Sequence, residues 1–518
     1  MNHNDIERLK LIDKRVREII KENNLLTTET DFEIVEPERM IEAMAYRFPS
    51  NFSHWSHGRD YDRLKTIYDN TGSGIPYEVV WNFERPRAYL VNTNPFPLNV
   101  IILPHVYAHV DFFLANSFLR RGRAVADIAN DARRARVRFH QYEQEHGVKV
   151  IENIIEAART ISRHQDLDPF AERIDEDLIR EQLIKVEQAK VEYLQNLNGA
   201  AAGGFKDRQE LEIEIARIVY GIRLLEKKTP PLPDYDLLGY IIDHAPIAKK
   251  AYVEDILKTI RDQDRHLFFN GRTKLLNEGW ATYWHVRIGR QLFAEGLLTP
   301  EEHGEFITFH AQVINADRKG LNWYRIGVVL FEYIKEKYDK GRFGDEYENC
   351  KDPVKKMNWD TKAMKGTEKI FQVHDMYSDA MAVREFLTDE FVHQEQLYMW
   401  QEATNPITGE TENVIAEDDP AVIRATLCKR MAAGGLPVIY VDDGNYDGRG
   451  ELYLRHDSDG ELNPEYEGAA LENLFYLWEK PVHLETNEVL TDIDYSPTSF
   501  SKRIVHTFDG KKHKIVDA

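Results

Sequence analysis

Asn277-Glu278-Gly279-Trp280-Ala281-Thr282-Tyr283-Trp284-His285 is the stretch on which the reading of this chain turns. It has no proline and few breakers, so it predicts a helix. At about 100° per residue, Glu278 and His285 project about 20° from one another, with Ala281 and Thr282 on the same face. A carboxylate and an imidazole two turns apart over small residues leave room for a group between them. On its own, the stretch favours a plainer reading: a buried helix whose Glu and His are satisfied by neighbours.

His105-Val106-Tyr107-Ala108-His109 shifts the balance. Histidines at i and i+4 project about 40° apart, the spacing that lets two imidazoles meet one ion. The surrounding run from Leu98 to Leu119 is strongly apolar, which predicts a buried helix. A buried imidazole needs a partner, because an unpaired polar group in an apolar core is costly. Pro104 is expected to begin or kink this helix just before the first histidine. His105, His109 and the distant Glu278 together make a His2Glu set, the ligand type of thermolysin-like zinc sites.

These residues also carry a family resemblance. The stretch from Asn277 to His285 resembles the most recognisable motif of the SpoVR family, stage V sporulation protein R. Phe52-Ser53-His54-Trp55-Ser56 and the run from His105 to Phe113 also match that family. So does the C-terminal run from Glu451-Leu-Tyr-Leu-Arg-His456 through Trp478 to Leu484-Glu485-Thr486. Two places depart from the pattern. His57 stands where the family has an aromatic, and His266-Leu267-Phe268-Phe269 stands where it has an aromatic-Pro run. The resemblance implies a role in spore cortex formation, or in the stress response of bacteria that do not sporulate. It also implies a neighbourhood with a PrkA-type serine kinase and a von Willebrand A-type protein. It supplies no chemical activity.

The Glu-Gly-Trp-Ala run resembles the second motif of gluzincin peptidases, whose Glu is the third zinc ligand. Those peptidases read His-Glu-x-x-His, with the Glu as general base. Here Val106 takes that place and cannot move a proton. His285 is the best substitute for the base. Alternatively it is a fourth ligand, which would close the site and make it structural. Asp111, about 240° round the helix from His105, points away and reads as a packing group. His54, Trp280 and Tyr283 are expected to contact a substrate, and His266 is a further candidate.

Composition bounds the rest. The chain has 518 residues and a net charge of −21, which argues against nucleic-acid binding and against docking on an anionic membrane. Cys350 and Cys428 are the only cysteines, too few for a disulfide framework or a cysteine zinc cluster. The N-terminus lacks the apolar core of a signal peptide, and no run is expected to span a membrane. The expectation is a cytoplasmic protein.

The fold class expected is a mainly α N-terminal region with a small β insertion, followed by a small α+β domain. The boundaries are 1–403 and 404–518, and a zincin-like pair of helices carries the site. Asp5 to Asn23 predicts an amphipathic helix with Leu9, Ile12, Val16, Ile19 and Ile20 on one face. Tyr77 to Trp81 and Arg87 to Val91 predict a hairpin beside the His105 helix. Arg120 to Arg138, with seven arginines, reads as a solvated face or as an anion-binding strip. In the C-terminal region, Arg455-His456 reads as a solvent-facing pair on an edge strand, and the chain from Tyr495 as a loose tail with one strand.

Two functions stand at this point. One is a divalent-metal enzyme, with zinc the first choice, hydrolysing a peptide or amide. The other is a non-catalytic regulatory or scaffold protein, with a structural metal or a metal-free His/Glu hydrogen-bond network.

Overall fold

The structure is a computed structural model. It describes residues 3–46, 52–71, 78–125, 128–166, 175–196, 208–315, 322–404, 411–432, 436–457, 462–487 and 502–518. The fold is mainly helical with small sheets. The chain packs as two units, one formed by Met1–His140 with His266–Gly435 and the other by Gln141–Arg265 with Leu436–Ala518. The expected boundary near residue 404 thus falls inside the first unit, and an internal segment completes the second.

At the centre of the first unit is the Phe96–Ala115 helix, with every residue from Pro97 to Phe113 buried. It starts at Phe96, not at Pro104, with Pro97 in its first turn, where the missing N–H costs nothing. Contrary to the expectation from sequence, this helix is long and apolar enough to cross a membrane, but 89% of the qualifying window is buried inside the protein. It is a core helix. The His3–Glu22, Lys274–Ala294, Pro300–Val313 and Gly366–Met376 helices pack around it. Leu9, Ile12, Val16, Ile19 and Ile20 are all buried, as their spacing predicts, and each contributes about 1.5–3 kcal/mol of burial.

The Lys274–Ala294 helix also packs on Trp323–Asp339. The two backbones meet at Gly279 and Gly327, where a Cβ added to Gly279 would lie 2.5 Å from Gly327 Cα. Only glycine on both helices permits that approach.

The expected hairpin is present as Glu78–Trp81 antiparallel to Arg87–Val91, with Glu78 opposite Leu90. A third strand that the sequence reading missed, Asp31–Val35, lies parallel to Arg87–Val91 on its other side. Glu78–Trp81 is therefore an edge strand. Val80 packs towards the main core, whereas Val79 and Trp81 face a second apolar cluster with Tyr89 and Met40. A further hairpin, Met399–Thr404 with Thr411–Glu417, belongs to the same unit. Arg120, Arg121, Arg133, Arg134 and Arg136 are exposed and Arg138 is half-buried.

The second unit holds a five-stranded sheet in the order Val438–Tyr446, Glu451–Asp457, Val482–Asn487, Arg503–Phe508, His513–Asp517. The parallel pair of Glu451–Asp457 and Val482–Asn487 is joined through the Pro464–Trp478 helix. Glu451–Asp457 is an interior strand, so His456 is buried and bonds Thr486 Oγ1 through Nδ1 at 2.9 Å. The chain from residue 502 supplies two sheet strands, not a loose tail with one. The tail residues from Tyr495 to 501 lie outside the described residues.

Candidate metal centre

The two histidines of the core helix meet the Lys274–Ala294 helix inside the first unit. His105 Nε2 and His109 Nε2 are 3.1 Å apart. Glu278 Oε2 lies 3.5 Å from His109 Nε2 and 3.7 Å from His105 Nε2. Among the described residues these three form the group of His, Cys, Asp or Glu side chains whose ligand atoms all lie within 4.8 Å of one another. His105 and His109 are each 4% exposed, whereas the Glu278 side chain is 18% exposed.

Hydrogen bonds on the far side of each ring decide what faces inward. Asn277 presents its amide oxygen to His109 Nδ1 at 2.9 Å. An amide oxygen only accepts, so Nδ1 carries the proton and Nε2 keeps a lone pair towards the cluster. Burial, with His105 next, lowers the His109 pKa to about 4, so this ring is neutral at physiological pH. His105 Nδ1 faces His285 Nδ1 at 3.0 Å, and His285 Nε2 faces His310 Nδ1 at 2.9 Å. The rings of His105, His285 and His310 thus form a line from the cluster to a half-buried position on the Pro300–Val313 helix.

Glu278 and His285 share a helix face as predicted, but they do not flank one gap. Seven residues put them about 10 Å apart along the helix axis, so they reach opposite edges of the His105 ring. Glu278 is on the Nε2 side and His285 on the Nδ1 side. His285 is 1% exposed, and burial, then the neighbouring imidazoles, hold its pKa well below the usual histidine value. Its position is that of a group orienting His105 from behind.

The three residues expected to contact substrate lie elsewhere. Trp280 is fully buried, donates Nε1–H to Asp111 Oδ2 at 2.8 Å, and stacks on His374. It projects about 200° from Glu278, which is why it enters the core. Tyr283, also buried, stacks on Trp280 and carries the Arg287 guanidinium 3.3 Å from its ring centroid. His54 is buried at the start of the Trp55–Thr71 helix, with Nδ1 2.8 Å from Ser56 Oγ. The segment from Trp55 to Gly58 is therefore helical. The His266 side chain lies outside the described ones. Asp111 is a packing group, as expected: besides Trp280 it accepts from Leu26 N–H at 2.7 Å and lies 3.0 Å from His374 Nε2.

Sequence reasoning missed Glu78, whose Oε1 lies 3.8 Å from His105 Nε2. Burial, and then the nearby Glu278 charge against an opposing effect of His105, push its pKa up to about 7. The signal for it was present: a Glu on the Val80 face of a strand whose other face carries Val79 and Trp81. Tyr324 was missed as well. Its ring stacks beside His105, and burial, then the charges of Glu278 and Glu78, raise its hydroxyl pKa. A separate cavity of about 380 Å³ between helices of this unit is lined by Glu332, Glu336, Glu390, Glu395, Lys337 and Arg342 among others, and by none of the cluster residues.

Comparison with known proteins agrees with the motifs. A protein of Escherichia coli (strain K12), YcgB, described as uncharacterized, is 24% identical over 395 residues, covering 74% of this chain and 71% of that protein. No solved structure matches. The model of the family described as SpoVR like protein matches residues 3–436, a span that contains Glu78, His105, His109 and Glu278 and stops short of the Glu451 to Thr486 run. With that span out of 518 residues, the chain belongs to the SpoVR family.

Proposed function

We propose that His105, His109 and Glu278 bind one divalent ion, zinc in the first instance, and that the chain is a metal-dependent hydrolase acting on a peptide or amide. The observation that carries this reading is the convergence of three inward-facing ligand atoms on one point. Glu278 Oε2 is buried and makes no hydrogen bond. A proton on His105 Nε2 would serve the 3.1 Å contact with His109 and would meet Glu278 Oε2 only at 3.7 Å, leaving the Tyr324 hydroxyl as the other donor beside this carboxylate. A divalent ion satisfies all three atoms together and offsets the desolvation of the carboxylate. Two helices supplying His-x-x-x-His and a Glu form a zincin-like pair, and the ligand set fits zinc.

A bound zinc would supply a Lewis acid and a water of lowered pKa. The chain's part is to hold the ligands. Asn277 fixes the His109 tautomer, and His285, braced by His310, orients His105. The setting we propose is the cytoplasm, and by family resemblance the role lies in spore cortex formation or stress response, beside a PrkA-type kinase and a von Willebrand A-type protein.

A second reading, a non-catalytic scaffold with a structural ion, is favoured by one observation. Val106 is fully buried where gluzincins carry their base. The test is metal analysis of the purified protein, followed by a peptide and amide panel with chelator and zinc add-back. One zinc per chain, lost in His105→Ala and in Glu278→Gln, is the expected result. Hydrolysis that follows the metal separates the enzyme from the scaffold. A metal-free protein whose two variants melt like the parent would overturn the metal site.

A further inference from the structure

We infer that Glu78 is a fourth protein ligand, closing a His2Glu2 site around the ion. This rests on the metal reading above and extends it to a residue on a different element. The first support is metric. Ligand atoms about 2.0–2.2 Å from a tetrahedral ion lie about 3.3–3.6 Å from each other. Glu78 Oε1 stands 3.8 Å from His105 Nε2, against 3.7 Å for Glu278 Oε2 and 3.5 and 3.1 Å for the other contacts of the cluster. Glu78 therefore borders the cluster at its His105 edge, outside the 4.8 Å group that His105, His109 and Glu278 form, and closes the site by swinging in when the ion binds.

The second support is charge. Two neutral imidazoles and one carboxylate around a dication leave a net positive charge in a buried place. A second carboxylate cancels it, and burying a neutral assembly costs far less than burying a charged one. Among the described residues Glu78 has no lysine or arginine ion-pair partner, and its ion-pair contact is with His105.

The third support is topology. Side chains alternate along a strand, so Glu78 shares the face of Val80, which packs into the main core. The register with Leu90 fixes that face. Glu78 opens an edge strand, which is paired on one side only. With Glu78 bound, no position is left for water, so the ion is structural in this state and hydrolysis at it requires this carboxylate to leave.

The test is titration of metal-free protein with Co²⁺ and Zn²⁺, comparing the parent with Glu78→Gln and Glu78→Ala, with circular dichroism confirming that each variant is folded. The parent should bind one Co²⁺ with an intense tetrahedral visible band that azide does not move. Glu78→Gln should weaken zinc binding by more than about tenfold, the least that even an outer-shell partner is worth. Glu78→Ala should bind Co²⁺ weakly, with a band that azide shifts. Parent-like affinity and spectra in both variants, or a parent band that azide moves as readily, would overturn Glu78 as a ligand and leave the three-ligand site standing. A parent that binds neither metal would overturn both.

Discussion

Gly327→Ala tests whether the packing of two helices sets the geometry of the cluster. A Cβ on Gly327 would stand 2.4 Å from Leu275 O, 2.5 Å from Gly279 Cα and 2.9 Å from Gly279 N. Comfortable carbon contacts are about 3.5–4.0 Å, so the Trp323–Asp339 and Lys274–Ala294 helices must part by about 1 Å. All three obstructing atoms are backbone, so no rotamer change relieves the clash. Overpacking costs about 1–3 kcal/mol, and we expect the upper end. Glu278 is the residue before Gly279 and moves with it. A shift near 1 Å is several times the roughly 0.2 Å tolerance of metal–ligand distances, so zinc affinity falls along with stability. The assay is urea unfolding followed by tryptophan fluorescence, with zinc stoichiometry on the same samples. Gly304→Ala is the control. An added Cβ there meets nothing within 4 Å, and Gly→Ala inside a helix stabilises by up to about 1 kcal/mol. A Gly327→Ala protein that unfolds at the parent's urea midpoint and keeps its zinc would refute the reasoning.

Other outcomes follow from the same geometry. His374 lies 3.0 Å from Asp111 and 2.7 Å from Asp375; burial alone would lower its pKa, but the two carboxylates outweigh it and the net shift is upward. The stability it contributes is therefore complete below the ordinary histidine value of about 6.5 and is lost as pH rises through the higher native pKa; urea midpoints at pH 6 and pH 9 should differ more for the parent than for His374→Gln, and equal differences would remove this account. His285→Ala should keep stoichiometric zinc but weaken it about 10- to 100-fold, the range for groups that orient a ligand, and complete loss of metal by isothermal titration would make His285 a ligand instead. With a net charge of −21, a generic DNA duplex should not be retained at physiological salt, and salt-sensitive submicromolar binding in an anisotropy titration would contradict that.

What could be read from the sequence divides along the difference between local and long-range geometry. The i, i+4 spacing of His105 and His109 and the helical setting of Glu278 are properties of single helices, and the structure has all three where the spacing puts them. The buried faces of the His3–Glu22 helix and the hairpin beside the core helix were legible for the same reason. Partners drawn from other elements were not. Glu78 joins the cluster only because strand register turns it towards the core helix, and His310 and Tyr324 arrive on helices whose placement no local pattern encodes. His285 shows the limit from the other side: angular periodicity placed it on the correct face, but rise along the axis decides which edge of the His105 ring it meets. Trp280 and Tyr283 are buried and not open to a substrate, and the angle from Glu278 already turns Trp280 towards the core. His456 failed for a topological reason, since the edge or interior rank of a strand depends on strands that follow it in the chain. The glycine pair joins both scales. Gly279 reads as an unremarkable gap in the quoted stretch until Gly327 is seen against it, and the close approach of the two backbones then fixes the residue before it, the carboxylate that completes the cluster.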